Sequence, residues 1–302
     1  MKISIVTPCL NAEEFISKTI ESIISQAGKF EIEYIIIDGE SIDRTVEIAK
    51  SYKEKIDSNQ YYIQCDGIKI YVYSEKDSSM YSALNKGFSK ATGDVFAYLN
   101  SDDIYLPGSL ANILSIFQKY PEILWLKGIT SYIDCHDQLL RPGDFCMYTR
   151  KWIKEGKYGK EWYFITQESV FWRSLLWKKS GGFNEQLKYA GDYQLWIKFS
   201  DYCPLYLTNI HTSCFRKRKG QLSQNRNYYL EMTSILSRTN YLSKIFRKLI
   251  QLSPGVVKKI FAIIVYRNQP FYIVIFHENR NLLKTKLTSK ELNDTKLFPV
   301  FF

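Results

Sequence analysis

Five short apolar runs recur along the first half of the chain: ISIVT (3–7), IEYIIID (32–38), IKIYVY (68–73), VFAYL (95–99) and ILWLKG (123–128). Runs apolar at successive positions suit strands buried on both faces. Between them, apolar residues recur at helical spacing. Phe15, Ile16, Ile20, Ile23 and Ile24 mark one helix within 13–26. SIDRTVEIAKSY reads as a second, with Ser41 as its N-cap. Met80, Tyr81, Leu84 and Phe88 mark a third. Leu110, Ile113, Leu114 and Phe117 mark a fourth, with Pro107 in its first turn. Alternating strands and helices over about 130 residues predict an α/β fold with a doubly wound, mainly parallel central sheet flanked by helices. Ligands of such sheets bind outside the carboxyl ends of the strands. Asp38 closes the second run and Asp102-Asp103 follow the fourth, so both are expected on that edge.

From about residue 129 the pattern loosens. Residues 130–145 suit a hairpin or an excursion, with a turn at Pro142-Gly143. Residues 167–178 and 191–201 read as helices, separated by a break at Gly181-Gly182. Past 227 the spacing predicts amphipathic helices with basic faces. Leu242, Ile245, Phe246 and Leu249 lie opposite Lys244, Arg247 and Lys248.

Charge is unevenly placed. Residues 1–200 hold 24 Lys+Arg and 26 Asp+Glu, 24 − 26 = −2, whereas residues 201–302 hold 17 and 5, 17 − 5 = +12. A near-neutral body with a basic appendage suits a polyanionic partner: a membrane surface, phosphate groups or nucleic acid. Six scattered cysteines, none in C-x-x-C spacing, signal neither a zinc site nor a redox motif, and fit a reducing, cytoplasmic setting. The first apolar run lacks the length and cleavage site of a signal peptide. No uncharged stretch reaches membrane-spanning length.

Several residues could carry chemistry. Asp102 and Asp103 are adjacent like charges at a strand end. They suit either a divalent cation gripping a diphosphate or a solvated turn ahead of Pro107. Asp43 and Ser41 read as helix-capping groups, which leaves Asp38 unexplained. Asp192 opens an apolar helix, as a cap or as a reactive acid. Arg216 to Lys219 form a basic run, either solvated or clamping phosphate. Neither a P-loop nor a dinucleotide-binding fingerprint is present.

Taken together, ISIVTPCLNAEEFISKTIESIISQ, EYIIIDGESIDRT, SEKDSSMYSALNKGFSKATGDVFAYLNSDD and GGFNEQLKYAGDYQLWIKF resemble the inverting nucleotide-sugar glycosyltransferases of family 2, with the GT-A fold. The resemblance covers roughly residues 1–220 and is nearest to enzymes that build bacterial surface polysaccharides. It implies a nucleotide pocket lined by Thr7, Pro8, Asn11 and Glu13, with Asp38 on the base or ribose. Asp77, Asn85 and Lys86 match the segment shaping the donor pocket. Asn100-Ser101-Asp102, followed by Asp103, stands where the family has its D-x-D metal motif for Mn2+ or Mg2+. Asp192 matches the general base. Arg216 and Arg218 match a late loop over the diphosphate. The chain departs from the family at several places. Glu40 and Arg44 stand where glycines are usual, Ser79 and Ser82 replace Gly and Asp, and Gly191 stands where an acid often precedes the base. Asn100 replaces the first Asp of D-x-D, and Arg218 occupies a frequent His position.

The resulting expectation is a GT-A domain over 1–225, with a nucleotide-sugar half at 1–128 and an acceptor half at 129–225. A basic amphipathic helical extension follows at 226–302. The enzyme would move a sugar, with inversion, from a nucleotide-diphosphate sugar, a UDP-sugar being the expected donor, to a glycan or lipid-linked acceptor. It would sit in the cytoplasm, on the inner face of the cell membrane if the extension docks on anionic lipid. A glycosyltransferase-like nucleotide-binding module without turnover is one rival reading. A basic nucleic-acid-binding protein is the other, and nucleic acid is not the expected partner, because the tail interleaves its charge with apolar helix faces.

Overall fold

The computed structural model of the chain describes residues 1–156, 158, 164–218, 220–221, 226–236, 270–276 and 282–287. The predicted alternation is present. Strands β1 (Lys2–Cys9), β2 (Gly28–Asp38), β3 (Cys65–Ser74) and β4 (Val95–Tyr98) alternate with helices α1 (Ile16–Ile24), α2 (Thr45–Asp57), α3 (Met80–Lys90) and α4 (Ser109–Lys119). Then come β5 (Ile104–Tyr105), β6 (Trp125–Ile133), β7 (Leu139–Arg141), β8 (Val170–Arg173), β9 (Tyr206–Arg216), β10 (Phe271–Phe276) and β11 (Leu282–Leu287). Their helices are α5 (Arg150–Lys154), α6 (Ser174–Ser180), α7 (Gly191–Tyr202) and α8 (Arg226–Leu236). One sheet runs in the order β11-β10-β9-β6-β8-β4-β1-β2-β3, with β5 paired to β9 and β7 to β6.

Successive residues of each central strand enter opposite cores. Ile3, Ile5, Ile32, Tyr34 and Ile36 face α1, α2 and α4. Val6, Ile35, Ile37, Phe96 and Tyr98 face α3 and the helices of the second half. Gly87 lets α3 lie directly on β1: a Cβ there would meet Val6 Cγ1 at 2.4 Å. Parallel pairing sets Cys9 beside Asp38 and Val6 beside Tyr98. The carboxyl ends of β1, β2 and β4 therefore share one edge, as expected.

Four expectations need correction. Helix α2 begins at Thr45, not after Ser41. Asp43 Oδ1 accepts the Thr45 backbone N–H at 3.0 Å, while Ser41 is spent on neighbouring loops. The turn of the β6–β7 hairpin lies at residues 134–138, not at Pro142-Gly143. Asp134 Oδ1 accepts the N–H groups of His136 and Gln138 at 2.8 and 2.9 Å, and Asp137 takes a left-handed φ of 65°. Residues 167–178 are not one helix. Gln167–Ser169 is a single 3-10 turn, and Val170, Phe171 and Trp172 form β8, antiparallel between β4 and β6. All three have no exposed surface, and a helix could not bury consecutive residues on both sides as a central strand does.

The fourth correction concerns the tail. FYIVIF is not part of a helical extension but strand β10, parallel to β9, with Ile273 and Val274 fully buried. The expected helical character is present in α8. The sheet thus includes strands from both sides of residue 225. The basic amphipathic stretch at 242–250 lies outside the described residues. Among the described residues, no helix is long and apolar enough to cross a membrane.

Candidate active site

At the end of β2, Asp38 is 1 % exposed. Its Oδ2 accepts from Ser41 N at 3.0 Å and from Ser74 Oγ at 2.7 Å, and Oδ1 accepts from the Ser41 hydroxyl. The carboxylate thus organises the 39–41 turn. Glu40, where a glycine is usual, keeps the left-handed backbone with φ 64°. The loop after β1 is laced to this turn. Asn11 Oδ1 accepts Ile42 N at 3.0 Å and Glu13 Oε2 accepts Arg44 N at 3.0 Å. Thr7 is buried and accepts from Tyr34 Oη at 3.1 Å, so its hydroxyl faces the core; Pro8 is buried beside it in β1.

The segment after β3 is fastened by α3. Lys86 Nζ reaches Asp77 Oδ1 at 2.7 Å and donates to the Lys76 carbonyl at 3.0 Å. Asn85 makes a backbone-like pair with Phe183: Nδ2 donates to its carbonyl and Oδ1 accepts its N–H, both at 3.0 Å. Asn85 therefore ties the first half of the fold to the Gly-Gly-Phe loop of the second.

At the end of β4, Asp102 and Asp103 part company. Asp103 has no exposed surface. Its Oδ1 accepts Arg216 N at 2.9 Å, its Oδ2 accepts Asn100 Nδ2 at 3.4 Å, and its backbone carbonyl accepts Thr19 Oγ1 at 2.8 Å. Burial first, then the neighbouring Asp102 charge, push this carboxyl well above the usual carboxylate range. Asp102 instead turns its Oδ2 to Arg218, whose Nε donates at 2.7 Å. Asn100 Oδ1 is buried and accepts no hydrogen bond. Ser101 is half-buried between them.

The two arginines of the basic run also differ. Arg216 ends β9 fully buried, its guanidinium 4.8 Å from the Phe15 ring centre. Its Nε donates to the Asp102 carbonyl at 2.7 Å, and its Nη1 donates to the Asp134 carbonyl at 2.9 Å and meets Asp137 Oδ1 at 2.5 Å. That set of partners makes it a fastener between β4, β9 and the hairpin. Arg218 lies farther out, with 39 % of its side chain exposed, over the same ring.

Asp192 begins α7. Burial pushes its carboxyl up to about 6, against hydrogen bonds from the Tyr193 backbone and the Tyr81 and Tyr228 side chains. The Tyr81 hydroxyl donates to the Tyr189 carbonyl at 2.7 Å and sits 3.4 Å from Asp192 Oδ1. The Tyr81 ring also accounts for Gly191: a Cβ there would come within 2.7 Å of it. The acid that often precedes the base is thus excluded by an aromatic ring.

Sequence reasoning missed Glu168, in the 3-10 turn before β8. It is 2 % exposed and raised to about 7, mainly by burial; the Asp192 charge adds to the rise. Its own charge in turn helps to raise Asp103. Glu168 is therefore near enough to Asp103 and to Asp192 for their charges to act on one another. The acid Glu168, directly ahead of the apolar run VFW at 170–172, was the available signal.

The residues fit a hard divalent cation in one respect: an unpaired amide oxygen, Asn100 Oδ1, lies two residues from the Asp102 carboxylate at one strand end. Among the described residues no group of three or more His, Cys, Asp or Glu could hold a metal, so substrate oxygens and water would have to complete the shell.

Known proteins resemble this chain in sequence and in fold. The profile described as Glycosyl transferase family 2 matches residues 4–180. An uncharacterized glycosyltransferase of Rickettsia typhi is 30% identical over 207 residues, 65% of this chain and 58% of that protein. The minor teichoic acid biosynthesis protein GgaB of Bacillus subtilis is 30% identical over 118 residues, 39% of this chain and 12% of that protein. The chain spans about three fifths of the length of the first curated relatives it matches, 58% and 60%. Among solved structures, S. aureus TarS (residues 1–349) in complex with UDP-GlcNAc superposes with a TM-score of 0.57 at 18% identity, over 83% of this chain and 70% of that one. The mannosyltransferase PcManGT of Pyrobaculum calidifontis, in complex with GDP-Man and Mn2+, gives 0.54 at 14% identity, over 87% and 79%. The fold is GT-A.

Proposed function

The chain belongs to glycosyltransferase family 2, and from that membership we propose that it transfers a sugar from a nucleoside-diphosphate sugar to a hydroxyl of a glycan or lipid-linked acceptor, with inversion. The observation that carries this reading is the shared sheet edge at which β2 ends in Asp38 and β4 runs into Asp102, itself paired with Arg218; Asp192 opens α7 beside Tyr81. Asp38 and the laced 11–13 and 39–45 loops form the nucleoside end. The structural neighbours bound to UDP-GlcNAc and to GDP-Man support a nucleotide-sugar donor. The relative named for teichoic acid biosynthesis supports a cell-surface polymer as acceptor.

Asp102 and Asn100 Oδ1 would hold Mn2+ or Mg2+, which when bound neutralises charge on the leaving diphosphate as a Lewis acid. The fully buried, already paired Asp103 orients this loop rather than the ion. Arg218 gives up Asp102 for a diphosphate oxygen, a charge-assisted contact that its guanidinium suits. Arg216 holds the strand ends beneath. The acceptor oxygen bonds to the anomeric carbon as the bond to diphosphate breaks, and its proton passes to Asp192. A base with pKa near 6 is ionised at neutral pH yet basic enough to draw that proton.

The test is a thermal-shift screen of nucleotide-sugars, UDP-GlcNAc and GDP-mannose included, with and without Mn2+ or Mg2+. The true donor, at about 100 times its dissociation constant, should stabilise the protein by about 2.7 kcal/mol. If no nucleotide-sugar shifts the melting temperature with either ion, the donor reading is wrong.

The net +12 of residues 201–302 (17 − 5) supports docking on an anionic membrane face, each cation near the surface contributing about 1 kcal/mol. Because β10 is buried in the sheet, that role falls on the cations and not on FYIVIF. Co-sedimentation should retain the protein on phosphatidylglycerol vesicles at low salt and release it at high salt. Equal, negligible binding to phosphatidylglycerol and phosphatidylcholine vesicles would discard it.

A further inference from the structure

Helix α8 lies beyond the residues that the family profile matches and beyond the expected end of the catalytic domain at 225. One of its side chains is nevertheless committed to the approach to Asp192. The Glu231 carboxylate accepts three consecutive backbone N–H groups: Lys188 at 2.8 Å, Tyr189 at 2.7 Å and Ala190 at 2.6 Å. These donors belong to the segment that leads into α7, whose first two residues are Gly191 and Asp192. The N-cap residue Ala190 has no side-chain hydrogen bond of its own to offer. Of these only the Ala190 N–H is an orphan donor of the helix start, where the helix dipole also favours an anion; the Lys188 and Tyr189 N–H groups belong to the loop before it. Three residues earlier on α8, Tyr228 packs with Ala190 and Tyr193 and hydrogen-bonds to Asp192. Met232 closes the same contact. Thus Tyr228 and Glu231, at i and i+3 on one helix face, grip the loop from one side, while Tyr81 holds the Tyr189 carbonyl from the other.

We propose that Glu231 is a positioning residue for Asp192, and that α8 is therefore part of the catalytic unit rather than of an appended tail. The inference rests on the reading of Asp192 as the general base. A carboxylate that takes three N–H groups fixes both the height and the rotation of the 188–190 segment. Asp192 then points its carboxyl at one place instead of sampling several. Placement matters because a shift of about 1 Å at a reacting group can cost about 10²-fold in rate.

The test compares Glu231→Ala, Met232→Ala and Asp192→Asn in the full chain. The side-chain carboxyl of Asp192 is followed by 13C NMR and identified by its loss in Asp192→Asn. In the folded protein Tyr81 on α3 and Tyr228 on α8 hydrogen-bond to this carboxyl, and its charge acts on Tyr98 on β4 and Glu168 before β8; the Glu231 carboxylate on α8 sits on the 188–190 N–H groups that precede it. Glu231→Ala frees the three N–H groups at 188–190 and opens the loop to water. Water relieves the burial that raises the Asp192 carboxyl, so its midpoint should move from near 6 toward the ordinary carboxylate range, while amide exchange at 188–190 quickens. Met232→Ala loses packing in the same contact but keeps the carboxylate, and should leave the midpoint where it was. An unchanged midpoint in Glu231→Ala would overturn the proposal, as would an equal displacement in Met232→Ala at matched stability. The base reading fails separately, if Asp192→Asn turns over its donor at the wild-type rate.

Discussion

Asp192→Asn should lower sugar transfer by about 10²–10⁴-fold, keep donor binding and raise the melting temperature. The first effect follows from removing the acceptor of the proton. Asparagine fits the same space and can keep the Tyr193 N–H, Tyr81 and Tyr228 contacts, so the donor side stays as built. The stability effect follows from linkage. The folded carboxyl titrates near 6, above its unfolded value of about 3.9. The folded state therefore binds its proton more tightly, and stability falls as pH rises through that window. About two pH units correspond to about 3 kcal/mol of penalty above pH 6, which the neutral amide escapes. The wild-type rate should rise with pH through about 6 and then level off. A rate within a few-fold of wild type, or a melting temperature at pH 7.5 that drops, would reduce Asp192 to a helix cap.

The second large effect is expected at Asp102. Asp102→Asn removes the charge that faces Arg218 and leaves the neutral Asn100 oxygen alone at the strand end. Transfer stimulated by Mn2+ or Mg2+ should fall by about 10²–10³-fold, the loss typical of removing one preorganised stabiliser of developing charge. Asp103→Asn is the informative comparison. Its carboxyl is fully buried, is pushed up by burial, and accepts the Arg216 backbone N–H, which an amide oxygen can also accept. That variant should fold and keep its response to metal. The assignment would be reversed if Asp103→Asn lost the metal response and Asp102→Asn kept it. Transfer running at full rate in chelator would remove the ion from the mechanism.

What the sequence determined by itself was written in local patterns. Ile3 to Thr7, Ile32 to Asp38 and Val95 to Leu99 carry a burial signal within a few residues, because a strand buried on both faces tolerates little else. Once those runs are parallel, the ends of β2 and β4 must share an edge. The joint placement of Asp38 and Asp102 was therefore legible before any coordinate. The family motifs carried Asp192 in the same way. Where the signal was ambiguous between periods, the reading failed: VFW at 170–172 is as apolar as a helix face, and only the vacancy between β4 and β6 made it a strand.

The division of labour among neighbours was decided by tertiary structure alone. Asp102 and Asp103 are indistinguishable as a dipeptide. They separate because the turn after β4 sends one toward Arg218, 116 residues away, and the other toward the Arg216 backbone, 113 residues away. Arg216 and Arg218 separate for the same reason, one fixed inside and one left near solvent. Glu231 reads in sequence as a lone acid in a basic tail. It becomes a clamp on the Asp192 loop only because α8 packs 41–43 residues back along the chain. Hydrogen-bond partners at such separations depend on which elements become neighbours, and residue spacing along a single helix or strand carries no record of that.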